Sequence, residues 1–411
     1  MRVIIIGAGI GGLALAQALH RAGIEVSVHD RDRTVADTGG YRLHLDGTAC
    51  AALRRHLPPA LYQALLGSSA GDASFRRFAV LDHRMRLLAE EPRERDETLL
   101  VGRIPLRRLL TYGLDDALRF GSAYTGHEVR GDATVVARFA DGSTVHGDLL
   151  VGADGVGSRV ARALAGRPTS HPLGVSGLAG RTHLTDATRA LLPAALRSGP
   201  ALAVGPGGIG VFLSVHDPVA GTAVDATTCT DVPADVEPGD LVWGVNAADR
   251  AFPAGLRSAA PMELQRSAAA MLEGWDGALR ALVAAEAGAV GFFGFHAADP
   301  DGDPTPWPSG VVTAIGDAVH AMPPTGGRAA ATAIRDADLL ATRLIEARTG
   351  TTTIPLAVHG YERRMPAYAA DAIRESLAPL AWMRRLSTPG TRYLAHAGLA
   401  TVATARRLRR G

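Results

Sequence analysis

Residues 2–6, Arg-Val-Ile-Ile-Ile, form an almost unbroken apolar run that stops at Gly7-Ala8-Gly9-Ile10-Gly11-Gly12 and passes at once into an Ala/Leu-rich stretch, Leu13 to Arg21. A short continuous apolar run closed by glycine predicts a strand buried on both faces, and the Ala/Leu stretch predicts a helix. A second strand, Glu25 to Val28, ends at Asp30, which completes a β-α-β start. Leu45 to Leu66 reads as helical with a break at Pro58-Pro59, and the charge-dense stretch Glu90 to Thr98 reads as a surface loop. Leu99 to Arg103 predicts a short strand, and Pro105 lies in the first turn of the helix that follows. Alternating segments at Val135–Phe139 and Ser143–His146, joined by Asp141-Gly142, predict a hairpin. Leu149 to Gly152 is then a buried strand ending at Ala153-Asp154-Gly155.

From about 168 to 295 this rhythm gives way to prolines, glycines and short alternating strands at Ala201–Val204, Gly210–Val215 and Asp240–Val245. The β-α pattern returns at Gly310–Ile315, followed by Gly316-Asp317 and an Ala-rich helix over about 328–348. The last 50 residues read as arginine-studded helix whose apolar stripe is expected to dock on the protein. The predicted fold class is α/β: a Rossmann-like nucleotide-binding domain interrupted by a β-sheet-rich domain, with a C-terminal helical segment. The expected division is 1–167 for the first part of the nucleotide domain, 168–295 for the inserted domain, 296–348 for the second part and 349–411 for the C-terminal helices. Residues 70–98 are assignable to either of the first two.

At 411 residues with 47% apolar content, the chain is long enough for two cores. A net charge of +2 gives no reason to expect a nucleic-acid partner or an anionic membrane surface. All 43 basic residues are arginine, so Schiff-base chemistry and every lysine-dependent mechanism are excluded. Cys50 and Cys229 stand alone without metal-ligand spacing, so neither a disulfide nor a metal site is expected. The opening apolar stretch is too short and glycine-broken for a signal peptide, and no run of about 18 apolar residues occurs, so a cytoplasmic protein without a membrane span is expected.

The first glycine turn carries the chemistry. Gly7 permits the tight turn, Gly9 lets the backbone approach a pyrophosphate, Gly12 lets helix and strand pack closely, and the helix N-terminus favours the phosphate charge. Asp30, about 20 residues on, is placed to accept from a ribose diol. This reads as an adenine-dinucleotide site.

Two further strand-then-glycine points complete a pattern: Gly152-Ala153-Asp154-Gly155-Val156-Gly157-Ser158-Arg159-Val160, and Gly316-Asp317-Ala318-Val319-His320-Ala321-Met322-Pro323-Pro324-Thr325-Gly326-Gly327. Together the three resemble the FAD-dependent aromatic hydroxylases, single-component flavoprotein monooxygenases similar to para-hydroxybenzoate hydroxylase. The resemblance implies that Gly7, Gly9, Gly12 and Asp30 hold the ADP half of FAD, and that Arg103 stands near the flavin. The bland alternative for Arg103 is a surface ion pair. It also implies that Asp154 lies near the pyrophosphate and is tied to NAD(P)H use, although Ala161 stands where the pattern normally ends in arginine, flanked by Arg159 and Arg162. The alternative for Asp154 is an ordinary turn.

In the third motif, Gly316 and Asp317 are placed to meet the ribityl chain, and Pro324, Gly326 and Gly327 with the helix start at Ala329 and Ala330 are placed against the flavin ring. A helix N-terminus there stabilises negative charge on the reduced ring. His320 reads better as a core histidine bonded to backbone. Where the family continues Gly-x-Gly-x-Asn, this chain has Gly327-Arg328-Ala329-Ala330-Ala331. The expectation is that the Ala329 β-carbon crowds the ring, that reduction is slow, and that a glycine and an asparagine at 329 and 331 would speed it.

The implied activity uses FAD, NAD(P)H and O2 to hydroxylate or epoxidise a small organic substrate, aromatic or polyketide-like, with Pro324 and Gly327 near the ring and no side chain singled out as catalytic. Phe212, Trp243, Phe292, Phe293 and Phe295 are candidate pocket lining, with core packing as the alternative for each. A second reading keeps FAD for a non-redox reaction such as cyclisation. Flavin-dependent halogenation fits poorly, because its lysine is impossible here. Oligomeric state is not legible.

Overall fold

In the computed structural model, residues 1–40, 42–70, 76–92, 98–217, 222–285 and 290–386 are described. The first layer is a five-stranded parallel sheet in the order β18 (Val312–Ala314), β12 (Leu149–Gly152), β1 (Arg2–Ile6), β2 (Glu25–Asp30), β8 (Leu118–Phe120). Its central strands carry the apolar runs because both faces are covered. On one face pack α1 (Ile10–Arg21) and α10 (Ala329–Arg348), joined by α2 (Gly47–His56), α3 (Pro59–Gly67), α4 (Arg103–Thr111) and α11 (Ile354–Glu362) in one apolar core. The close approach of α1 to α10 depends on glycine: a Cβ on Gly11 of α1 would sit 3.0 Å from the Ala333 Cβ of α10. The other face meets a three-stranded antiparallel sheet, β11 (Thr144–Gly147), β10 (Val135–Phe139), β9 (Tyr124–Val129), and α5 (Arg159–Ala165).

The second layer is a seven-stranded sheet in the order β17 (Gly291–Ala297), β13 (His171–His183), β16 (Asp240–Ala248), β15 (Gly210–His216), β14 (Ala201–Val204), β5 (Arg77–Asp82), β6 (Leu87–Pro92). It is antiparallel except between β14 and β5. One face is sealed by α7 (Pro261–Met271) and α8 (Gly277–Ala284) around Trp243, Trp275, Leu213 and Val245. The opposite face looks towards a three-stranded sheet, β3 (Arg42–Leu45), β7 (Leu99–Gly102), β4 (Ser69–Ala70), and towards α12 (Met365–Leu386). The short helix α6 (Asp186–Ala190) leads out of β13, and α9 (Asp317–His320) follows β18.

Several expected bounds shift. Glu90–Pro92, read as loop, ends the edge strand β6, and 93–97 lie outside the described residues. Arg103 opens helix α4 rather than closing strand β7, and of the strand expected over Gly310–Ile315 only Val312–Ala314 is strand. Of the expected C-terminal helix, residues 387–411 lie outside the described residues. Among the described residues no helix is long and apolar enough to cross a membrane, and no His/Cys/Asp/Glu cluster could hold a metal ion.

Candidate functional site

Gly7, Gly9 and Gly12, at the passage from β1 to α1, act differently. Gly7 has φ +111°, and a Cβ there would collide with the Ala153 carbonyl; one on Gly12 would collide with the Gly7 carbonyl. Both are required by packing. A Cβ on Gly9 would meet nothing within 4 Å, and Gly9 is the N-cap of α1 with no side-chain cap. Gly9 therefore faces open space at the positive end of a helix, the one place in the turn where a phosphate fits without displacing protein.

Asp30 sits beside this cradle, but its carboxylate is committed to protein. Oδ2 accepts from the Ala8 N–H at 2.6 Å and Oδ1 from the Asp32 N–H at 2.8 Å. Arg107, 2% exposed, locks the arrangement: Nε donates to the Ala8 carbonyl at 2.7 Å, Nη1 to the Val35 carbonyl at 3.0 Å, and Nη2 lies 3.3 Å from Asp30 and 2.9 Å from Asp32. The sequence reading missed Arg107. Its signal was a charge among the core-facing positions of α4, between Leu106 and Leu109. With Asp30 occupied in this way, any ribose contact falls to the lone pairs that remain.

Asp154 is also a local cap. Its carboxylate accepts from the Ser158 hydroxyl and, at 2.8 Å, from the Arg159 N–H, while Ser158 caps α5 through Ala161 N–H. These side-chain bonds are local to the turn and the start of α5, and the Asp154 backbone abuts Gly7.

The second half of the site is the β18–α10 connection. Gly316 (φ +65°) turns the chain, and its N–H donates to Asp336 Oδ2 at 2.7 Å. Asp317 follows with Oδ1 buried and without a hydrogen-bond partner among the described residues. Burial pushes its carboxyl above the usual range, against the pull of His320 and Arg103. Arg103 is therefore not a surface ion pair: Nε donates to Thr38 Oγ1 at 3.0 Å, and burial lowers its pKa while Asp317 opposes that shift. His320 bonds a side chain rather than backbone, Nε2 lying 2.6 Å from Asp336 Oδ2, and Tyr368 donates to Asp336 Oδ1 at 2.6 Å. Burial disfavours the imidazolium, yet the adjacent Asp336 carboxylate outweighs it and holds the His320 pKa above its ordinary value.

Pro324 to Gly326 form one tight turn, and Gly327 (φ +64°) bends the chain into α10 opposite His44, whose Cβ would lie 3.8 Å from a Cβ there. Gly326 is pressed against Ser376 of α12, leaving no room for a Cβ, and the Thr325 hydroxyl donates to the Ser376 carbonyl. The N-cap of α10 is Arg328, tied to Asp46 at 2.8 Å, and it gives the helix no side-chain cap. Ala329 is partly buried. Its methyl packs against a cluster of Ala298, Met322, Ala372 and Ile373, while Ala330 and Ala331 join the main core.

Strand parity sorts the aromatic residues. Trp243 is fully buried on the α7/α8 side, donating to Thr182 Oγ1 at 3.1 Å, and Phe292 packs there edge-on to Phe252 at 5.3 Å. Neither lines a site. Phe212, Phe293 and Phe295 lie on the opposite face, the last two packed with Leu380 and Met383 of α12.

Residues 292–376 match the family profile of an FAD binding domain, and residues 5–44 that of an NAD(P)-binding Rossmann-like domain. The chain is 33% identical over 366 residues to a dual O-methyltransferase/FAD-dependent monooxygenase of Phaeosphaeria nodorum, covering 82% of this chain and 39% of that protein. It spans 42% of the corresponding Cercospora beticola protein, so it represents about two fifths of these relatives. A solved structure described as an FAD-containing monooxygenase of Photorhabdus luminescens superposes with a TM-score of 0.78 at 30% identity, over 92% of this chain and 97% of the other. Klebsiella pneumoniae HpxO complexed with FAD and uric acid shares the fold, with a TM-score of 0.75 at 22% identity over 97% and 92% of the two chains.

Proposed function

The chain belongs to the FAD-dependent monooxygenases, and from that premise we propose that it binds FAD along the line from Gly9 to Asp317 and uses NAD(P)H and O2 to oxygenate a small aromatic or polyketide-like substrate. The observation that carries the cofactor assignment is the buried, unpartnered Oδ1 of Asp317 beside an uncapped 20-residue helix. Buried polar atoms are almost always satisfied, so this exception supports a ligand hydroxyl as the donor to Asp317.

Each part then has a task. The Gly9 turn and the α1 N-terminus take the pyrophosphate, and Arg107 with Asp30 holds that turn rigid from behind. Asp317 accepts from the ribityl chain, with Arg103 and His320 balancing its charge. The Pro324–Gly327 bend brings the α10 N-terminus to the ring, where its dipole favours anionic charge. Bound FAD supplies the electron transfer and oxygen activation; overall, NAD(P)H, a proton, O2 and substrate yield NAD(P)+, water and the oxygenated product. Residues 77–92, being strands of the seven-stranded sheet, go with 168–295 in a substrate domain that covers the ring. The protein acts in this reading as a cytoplasmic enzyme on a diffusible substrate.

The test is direct. Purified protein should be yellow, release FAD on denaturation, and oxidise NADPH faster when a substrate is present. Colourless protein that takes up no added FAD would refute the assignment.

A further inference from the structure

Unmade buried hydrogen bonds gather at a second place, where β3 meets the seven-stranded sheet. Arg42 of β3 reaches Glu237 at 2.6 Å and Asp240 at 2.9 Å, and Arg181 reaches Glu237 at 2.8 Å. His216 pairs with Asp240 across β15 and β16, 1% exposed. Both His216 ring nitrogens, Asp240 Oδ1 and Arg42 Nε are buried without a hydrogen-bond partner among the described residues. This is the same feature that marks Asp317.

The cluster adjoins the cofactor site. Arg42 lies two residues from His44 on one face of β3, and His44 stands opposite the Gly327 bend. Glu237 packs so close to Gly102 that no Cβ fits there, and Arg103 is the next residue. From His216 the same sheet face runs through Ser214 to Phe212, which pairs with Gly244. A Cβ on Gly244 would be in ordinary contact with Asn246 and Ala179 at 3.9–4.0 Å, so small side chains flank the partly exposed Phe212 ring on this face.

Charge decides what such a place accepts. Two arginines face two carboxylates, so the ion pairs already neutralise the cluster and offer no unmatched cation. Burial and the Arg42 charge push the His216 pKa down to about 4, against a smaller opposing effect of Asp217, so the ring is neutral, with one donor and one acceptor nitrogen.

We propose that His216, with Asp240 and Arg42 beside it, receives an uncharged hydroxyl or ketone oxygen of an aromatic substrate and discriminates against a carboxylate at that position. The inference rests on the oxygenase reading above and names its substrate chemistry. A carboxylate brought here would be desolvated without a free counter-charge, whereas a hydroxyl or ketone satisfies groups that otherwise stay unpaired.

The probes are 1-hydroxy-2-acetonaphthone and 1-hydroxy-2-naphthoate, one ring system with a ketone or a carboxylate, titrated calorimetrically into the FAD-supplemented protein. The ketone should bind at least about tenfold more tightly. H216F should abolish that difference by weakening the ketone, H216Q should restore part of it, and both variants should retain FAD within about twofold of the parent and melt cooperatively. Equal or tighter naphthoate binding, no binding of either probe, or full discrimination in H216F would overturn the proposal. Because calorimetry also reads protein without FAD, a failure to bind FAD would count against the cofactor assignment alone.

Discussion

His320 Nε2 and Asp336 Oδ2 lie 2.6 Å apart with neither side chain exposed to solvent, and Asp336 also anchors the Gly316 N–H. The carboxylate raises the folded-state pKa of His320 above its ordinary 6.5, so the pair's contribution is complete below about that pH and is lost as pH rises through the raised value. Thermal midpoints should therefore fall on the alkaline side in the parent. D336N should cost roughly 3 kcal/mol and flatten that decline. Parallel pH curves for the two proteins would show that His320 does not titrate against Asp336.

Gly7 and Gly9 should separate folding from binding. G7A forces a Cβ into the Ala153 carbonyl at φ +111° and should reduce soluble, folded protein. G9V enters open space, so its melting point without FAD should stay near the parent's while FAD uptake is lost. A G9V protein that fills normally with FAD would misplace the pyrophosphate.

D317A should weaken FAD binding about 5- to 150-fold, the equivalent of roughly 1–3 kcal/mol for one lost hydrogen bond to a buried acceptor. The apoprotein should be no less stable, because a desolvated carboxyl is removed whose Oδ1 has no hydrogen-bond partner among the described residues. Equilibrium dialysis against FAD reads the first effect and calorimetry of the apoprotein the second. An unchanged dissociation constant would show that Asp317 faces away from the cofactor.

Acid should act through two buried imidazoles. His29, stacked on Phe139 at 4.3 Å between Ser27 and Ser122, and His216 both have pKa values lowered to about 4, burial being the main cause. A lowered histidine pKa means that the unfolded chain binds protons first, so stability falls as pH drops from 6.5 towards 4, by no more than about 3 kcal/mol per residue. Urea titrations between pH 7.5 and 4.5 should show this decline, and H216Q should reduce it. An identical decline in H216Q would remove His216 from the account.

The glycine turns were legible because continuous apolar strands ending in glycine admit few local structures. The edge strand β6 was not, because an edge facing solvent carries the charges of Glu90 and Glu91 and so resembles a loop. Arg107 hid beside Arg108, and an arginine pair in a helix reads as a solvated face until the fold shows which member turns inward. The Arg42–Glu237–Asp240–His216 cluster draws on three separate segments, so no local spacing betrays it. Trp243 and Phe212 stand in neighbouring strands of equal apolar character, and only the register assigns them to opposite faces.

Packing also leads to a different prediction for Ala329 and Ala331. Sequence resemblance casts both as losses beside the flavin, to be repaired by glycine and asparagine. In the structure the Ala329 methyl is held by Ala298, Met322, Ala372 and Ile373, and Ala331 is 4% exposed within the main core. A329G should cost up to about 1 kcal/mol through helix propensity and lost contact, and change the rate of flavin reduction by NADPH less than about twofold. A331N places an amide where its neighbours are apolar and should cost about 1–3 kcal/mol, with FAD retention falling as the helix start is disturbed. Stopped-flow reduction of the two single variants separates the readings. A tenfold or greater acceleration in A329G would mean that the methyl does stand at the ring, and that the contact with α12 is secondary.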